Sequence, residues 1–237
     1  MKMKPSIIVT ISLMALAAAG QAATVSVSVA QSLSGVEGST PINLTAQGPL
    51  DWGIWATAGT LTPSDSMDGG AGFNGLTLIS GATQHPGSFG NPENGYSWTN
   101  GTAVVSTTGI TNAARANFNS VGDGVSLTID IASAGSYQLK FHTSTSGIIS
   151  LNGTASLLTG GVTDTAFGVE QTLLAQSEYT VNFTTDGADT LTLNVIKAGG
   201  ASTIFAYEAV TLASVPEPSS IALLGLGGLA LISRRRL

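Results

Sequence analysis

All three tryptophans of the 237-residue chain fall in two short runs, LDWGIW at 50–55 and YSWTNGT at 96–102. Flat aromatic rings beside amides and carboxylates suit sugar recognition. The apolar C–H face of a pyranose can stack on a ring while neighbouring polar groups take its hydroxyls. Trp52, Trp55, Tyr96 and Trp98 are therefore candidate stacking residues, with Asp51, Asn94 and Asn100 as candidate hydroxyl partners. The same aromatic residues also fill β-sandwich cores. Trp52 and Trp55 are three apart, so on a regular strand they point to opposite faces, and one of them is expected in the core.

Other chemistries find less support. His85 and His142 are the only histidines. His142 follows Phe141 in an alternating run and is expected to face solvent; His85 precedes Pro86 and is expected in a loop. Neither has metal-ligand spacing or a catalytic neighbour, so no catalytic residue and no metal ligand is expected. Asp65 with Asp68, and Asp186 with Asp189, could offer oxygens to a structural calcium ion. Aspartate also favours turns for backbone reasons, and a turn role is the expectation, with no cofactor. There is no cysteine, which removes disulfides, thiolate metal sites and a cysteine nucleophile together. The four Asn-x-Thr sequons, at Asn43, Asn100, Asn152 and Asn182, arise readily in a chain rich in both residues.

Charge narrows the partners. Lys2 and Lys4 lie near the start and Arg234, Arg235 and Arg236 near the end. Between residues 24 and 214 only Arg115, Lys140 and Lys197 remain against thirteen acidic residues, a net charge of −10. Such a body repels phosphate backbones and has no basic patch to release counterions, so nucleic acid is excluded as a partner. Its polarity comes from Ser, Thr, Asn, Gln and Gly.

The termini carry addresses. Residues 1–23, MKMKPSIIVTISLMALAAAGQAA, combine a basic start, an apolar stretch and small residues before a cut after Ala22 or Ala23. This is the pattern of a secretory signal peptide, which implies signal peptidase as a partner during export. The chain closes with VPEPSSIALLGLGGLALISRRRL at 215–237. Pro216 and Pro218 deny helix to the residues before them. The fifteen uncharged residues from Ser219 to Ser233 would form a helix of about 22 Å, short of the ~30 Å hydrocarbon core. Arg234–Arg236 should stay cytoplasmic and leave the body outside, the inner membrane holding the chain only transiently. Tripeptide, apolar helix and arginine cluster together resemble the PEP-CTERM sorting signal of Gram-negative, exopolysaccharide-producing bacteria. The resemblance implies that an exosortase recognises Pro216, Glu217 and Pro218. It also implies that the helix at 219–237 is removed and the body delivered to the cell envelope, outer surface or extracellular matrix.

The elements between these addresses are strands. TVSVSVA, VSLTIDI, SYQLKFHT, EYTVNFTT and DTLTLNVIK alternate apolar and polar residues. Tyr137, Leu139 and Phe141, then Tyr179, Val181 and Phe183, then Leu191, Leu193 and Val195 are expected to face one core. Turn signals stand at VGDG (121), SAGS (133), LNG (151), TDGAD (185) and KAGGAS (197), and the glycine-rich stretches 59–75 and 81–101 are expected as long loops. The domain expected is an all-β antiparallel sandwich, jelly-roll-like, over 24–212, joined by a linker at 213–218 to the sorting helix. LDWGIW, YSWTNGT and the closing YEAVTL at 207–212 resemble galactose-binding-like, carbohydrate-binding-module-like jelly rolls. In these the last strand returns beside an early Asp-Trp strand. The resemblance implies the fold and, more distantly, extracellular polysaccharide as a partner. The function expected is that of an exported, non-catalytic surface or matrix protein associated with exopolysaccharide. A carbohydrate-binding module with a defined pocket and a glycan-cleaving enzyme stand as alternatives, the latter needing two carboxylates at a fixed separation.

Overall fold

The computed structural model describes residues 22–32, 41–70, 73, 75–89, 95–145, 147–171 and 176–216. Residues 1–21 of the signal peptide, the sorting helix and the residues Glu217, Pro218 and Arg234–Arg236 lie outside these, as does Asn94. Among the described residues no helix is long and apolar enough to cross a membrane.

Two antiparallel sheets form the sandwich. The first runs in the order β1 (Thr24–Ser32), β14 (Gln176–Thr185), β11 (Gly135–Thr145), β16 (Ile204–Ser214), β3 (Asp51–Ile54) and β4 (Asp65–Ser66). On the other half of β16 it continues through β9 (Ala113–Asn117) to β6 (Thr83–Phe89). The second sheet runs β13 (Thr163–Gln171), β12 (Ile149–Leu157), β15 (Asp189–Gly199), β10 (Gly124–Ile131) and β5 (Leu76–Ile79). The period-two runs predict this pairing. Tyr137, Leu139 and Phe141 meet Phe183, Val181 and Tyr179 in register across β11 and β14, and Leu191, Leu193 and Val195 face Ile129, Leu127 and Val125 across β15 and β10. All of these are buried in one core between the sheets.

A third layer had no signal in the alternating runs. β2 (Ile42–Asn43), β7 (Tyr96–Thr99) and β8 (Ser106–Ile110) form a small sheet, with β2 and β7 parallel. A single turn of helix, α1 (Leu44–Gln47), follows β2 and is capped by the Asn43 side chain, whose oxygen accepts the Ala46 N–H at 3.0 Å. This layer covers the outer face of the first sheet and encloses a second core of Leu44, Trp52, Ile54, Tyr96, Trp98 and Ala209.

The covering layer corrects the expectation for His142. Alternation places it on the outer face of β11, opposite Phe141, but that face is roofed by α1 and β7, and the imidazole is buried. Beside it the ladder between β11 and β16 shifts register: His142 pairs with Ala209 and Thr143 with Tyr207, leaving Glu208 as the additional residue of a bulge. A bulge re-aims the side chain it carries, and Glu208 points into the buried layer.

Three other expectations change. His85 lies in β6 and pairs with Arg115, so the stretch 81–101 is not one loop. Pro86 is tolerated there because it falls where the ladder with β9 shifts register, between His85 and Phe89, and among the described residues β6 pairs with β9 alone. The stretch 59–75 contains the short strand β4. LNG at 151 is no turn; β12 runs straight through it with a register shift between Leu151 and Gly153. Gly153 is there for space, since a Cβ would stand 2.8 Å from the buried ring of Tyr179. Gly153→Ala is expected to cost about 1–3 kcal/mol through overpacking, read as a lower urea midpoint with an unchanged slope.

Candidate functional site

The aromatic candidates are placed by strands that alternate between two cores. Trp52 and Trp55 do point to opposite faces, but both faces are covered. Trp52 belongs to the second core and Trp55 to the sandwich core. Trp55 packs edge-on against Phe141 and Tyr207, and its indole N–H donates to the Leu61 carbonyl at 2.9 Å. Tyr96 is fully buried as well. None of these three rings presents a face to solvent, so the stacking role considered for Trp52, Trp55 and Tyr96 gives way to packing. Asp51 is buried too; its carboxylate accepts the Trp52 N–H at 2.8 Å and fills the space that a side chain at Gly70 would need.

Trp98 is the exception in part. It is 5% exposed, lies 5.5 Å from Trp52 centroid to centroid, and donates its indole N–H to the Val104 carbonyl at 2.9 Å. Asp65 shapes the loop that supplies this acceptor. Its two carboxylate oxygens accept the N–H groups of Ser66, Ala103 and Val104, each at 2.9 Å. The carboxylate is spent on backbone amides, although Asp65 lies in β4 and not in the turn expected for it. Gly101 sits where this loop, Asp65 and the Trp98 indole converge, and a Cβ there would clash with all three.

One edge of Trp98 reaches a shallow concavity of about 530 Å³ on the outer face of the small sheet. Its other lining residues are Asn43, Ser97, Thr99, Ser106, Thr107 and Thr108. The period of β7 creates it: Tyr96 and Trp98 turn inward, so Ser97 and Thr99 turn outward. Thr45 ties the helical turn to this surface, donating its hydroxyl to the Thr99 carbonyl at 2.7 Å. Every polar group lining the concavity is an uncharged hydroxyl or amide. Asn100 follows directly, exposed and in the left-handed region at φ 66°, and its carbonyl accepts the Asp68 N–H. It stands one residue beyond the lining. The alternation in YSWT and the run STT at 106–108 carried the signal for this surface, but with the small sheet unread they had no face to be assigned to.

Beneath the small sheet lies a buried polar group. The imidazole Nε2 of His142 is 2.8 Å from Gln47 Oε1, and its Nδ1 is 3.8 Å from Glu178. Lys140 pairs with Glu178 at 2.7 Å. Tyr96 and Gln176 both donate to Glu208 Oε2. Burial drives the pKa of His142 down to about 4; the Glu178 carboxylate opposes this and Lys140 adds to it. Burial works to raise Glu178, but the Lys140 hydrogen bond, His142 and Thr180 outweigh it and hold the carboxyl below its usual range. Burial, followed by the charge of Glu208, pushes the Tyr96 phenol up. Glu208 is fully buried. Asp189 is likewise committed, its carboxylate accepting the N–H groups of Thr159, Gly160 and Thr190. Among the described residues no three His, Asp or Glu side chains gather as a metal site would require.

Fold and surface together define an all-β jelly-roll-type sandwich with a neutral, hydroxyl-lined outer face. Residues 214–236 match the PEP-CTERM protein-sorting motif. The chain carries that C-terminal signal and is an exported protein directed by way of the membrane to the cell envelope. No curated protein matches it. Among solved structures it is similar to TmCBM61 in complex with β-1,4-galactotriose, at 15% identity and TM-score 0.40, over 61% of this chain and 92% of that one. It is also similar to the CBM35 of Abf62 from Cellvibrio japonicus, at 14% identity and TM-score 0.30, over 60% of this chain and 99% of that one. A third is the enzymatically active domain of tailspike protein 4 from bacteriophage CBA120, at 13% identity and TM-score 0.39, over 59% of this chain. The chain spans only 19% of that tailspike. The sandwich assignment rests on this chain's own strand pairing.

Proposed function

We propose that this chain is a non-catalytic envelope or matrix protein. An exosortase processes it at Pro216–Pro218, and it then associates with extracellular polysaccharide through the concavity on its small sheet. The observation that carries the reading is the lining of that concavity. Asn43, Ser97, Thr99, Ser106, Thr107 and Thr108 offer only neutral donors and acceptors around an apolar tryptophan edge. Neutral hydrogen bonds to glycan hydroxyls are not screened by salt as ion pairs are, and a body of net charge −10 has little to gain from charge attraction to an acidic polymer. The commitment of Asp65 and Asp189 to backbone amides, and the burial of Glu208, support a binding role over hydrolysis.

Calorimetric titration of the folded protein with neutral oligosaccharides tests this. Saturable binding is expected, unchanged between low and physiological salt and without turnover of the sugar. A Ser97→Ala, Thr108→Val variant removes two hydroxyls from the lining without touching the buried rings, and is expected to weaken binding about tenfold. Flat traces across a neutral glycan panel, or an unaffected double variant, reject the concavity as the contact.

A further inference from the structure

The match to the sorting motif begins at Ser214, and Ser214 still belongs to β16. β16 is an interior strand, flanked by β11 on one side and by β3 and β9 on the other. Ser214 pairs with Tyr137, and the Val215 N–H donates to the Ser136 carbonyl at 2.8 Å. Pro216 has no N–H, so the ladder stops there, and the proline holds Val215 extended. The linker expected at 213–218 is thus half absorbed into the sheet. Ala213 and Ser214 are strand, and Val215 is bonded to it.

The spacing has a steric consequence. Pro216 leaves the sheet one residue after a bonded position, a step of about 3.5 Å. From Val215 to Ser219, where the apolar run starts, the chain reaches at most about 14 Å. A protein that encloses the Pro-Glu-Pro tripeptide has walls thicker than that first step, so it meets the end of the sandwich. Around the exit of β16 that end holds a hollow of about 270 Å³, lined in part by Leu50, Asp130, Ala132, Ser133 and Tyr137. Leu50 and Val215, 39% and 40% exposed, flank the exit as large apolar side chains. Asp130 on the rim and the acidic body disfavour an anionic lipid surface as the occupant.

We propose that this end of the sandwich, centred on Leu50, Ala132 and Val215, is a docking surface for the membrane protein that reads the sorting motif. The signal is recognised as tripeptide plus folded body, not as a free peptide. The proposal rests on the sorting reading above and adds a second contact to it.

The test follows shortening of the full-length chain in its exporting cell, by immunoblot and intact mass. Ala132→Arg and Leu50→Lys alter exposed positions. Each is made with and without a nine-residue Gly-Ser insert between Val215 and Pro216, which adds up to about 30 Å of reach. Both substitutions are expected to slow shortening about tenfold at the natural spacing and to have no effect once the insert separates body from signal. Shortening of both variants at the parent rate overturns the proposal. Slowing that persists with the insert also overturns it, because the fault then lies in the fold. Lost membrane retention with normal shortening of the retained chain puts lipid against this end and overturns it likewise. A parent chain that is never shortened overturns the sorting reading itself, whereas a shortened parent with indifferent variants overturns the docking surface alone.

Discussion

Trp98→Ala is expected to destabilise the protein by about 3–5 kcal/mol, the range for emptying a buried aromatic site. Trp98 is 5% exposed, packs against Trp52 at 5.5 Å, and satisfies the Val104 carbonyl with its indole N–H. Truncation leaves a cavity between the small sheet and β3 and removes the partner of a loop carbonyl. In a domain of this size a loss of that order lowers the melting temperature by roughly 10 °C. Trp98→Phe, which keeps most of the volume and loses only the N–H, is expected to fall well short of that loss. Thermal unfolding followed by near-ultraviolet circular dichroism checks both, and a parent-like melting temperature for Trp98→Ala would show that the small sheet does not depend on this ring. Loss of sugar binding in Trp98→Ala would then report loss of the platform and not of a stacking partner, which is why the hydroxyl variants are the cleaner test of the concavity.

Acid lability is the second large effect. His142 has an ordinary pKa of 6.5 in the unfolded chain and about 4 in the fold. Between those values the unfolded chain binds more protons than the folded one, so stability falls as pH drops through that window and is complete above it. A shift of that size is worth about 3 kcal/mol. The groups that face the imidazole are Glu178 and Lys140 from the first sheet, Gln47 from α1 and Tyr96 from β7, which contacts the ring edge-on. The lowered Glu178 works in the same direction, its contribution being lost at still lower pH as the carboxyl protonates in the fold. Urea unfolding midpoints are expected to decline from pH 6.5 to 4, and His142→Gln to flatten that decline while leaving the lower-pH loss. A parent midpoint independent of pH across the window would show that the imidazole is not held neutral by its burial.

The sandwich was legible in the sequence because its strands alternate strictly. Tyr137 to Phe141, Tyr179 to Phe183 and Leu191 to Val195 announce one apolar face each, and those faces meet in the core. The closing YEAVTL does return beside Asp-Trp, with Leu212 opposite Asp51. The covering layer was not legible. β2 has two residues and α1 four, and the four-residue alternation of β7 is too short to say which sheet it joins. His142 shows the cost: the alternation was read correctly and its environment was not, because a period assigns a face and cannot say what covers it. The tryptophans follow the same logic: one of Trp52 and Trp55 was expected in the core, and the third layer puts the second face under cover as well. The hydroxyl-lined concavity was missed because its residues mattered only once β7 and β8 were paired. Gly153 is a different case. Leu-Asn-Gly reads locally as a turn, and only the Tyr179 ring, from a strand of the opposite sheet, explains the glycine as a gap.

The place of β16 in the order of strands has a consequence for biogenesis. A chain crossing the bilayer N-terminus first delivers residues 204–214 as the last strand of the sandwich, yet they form the middle of the first sheet, between β11 and β3. Until they arrive, both neighbours expose unpaired edges, open to proteases and to other nascent chains. The slow, long-range closure of the domain therefore waits for complete translocation. A truncated product lacks its keystone strand as well as its address, so only full-length molecules become both durable and deliverable.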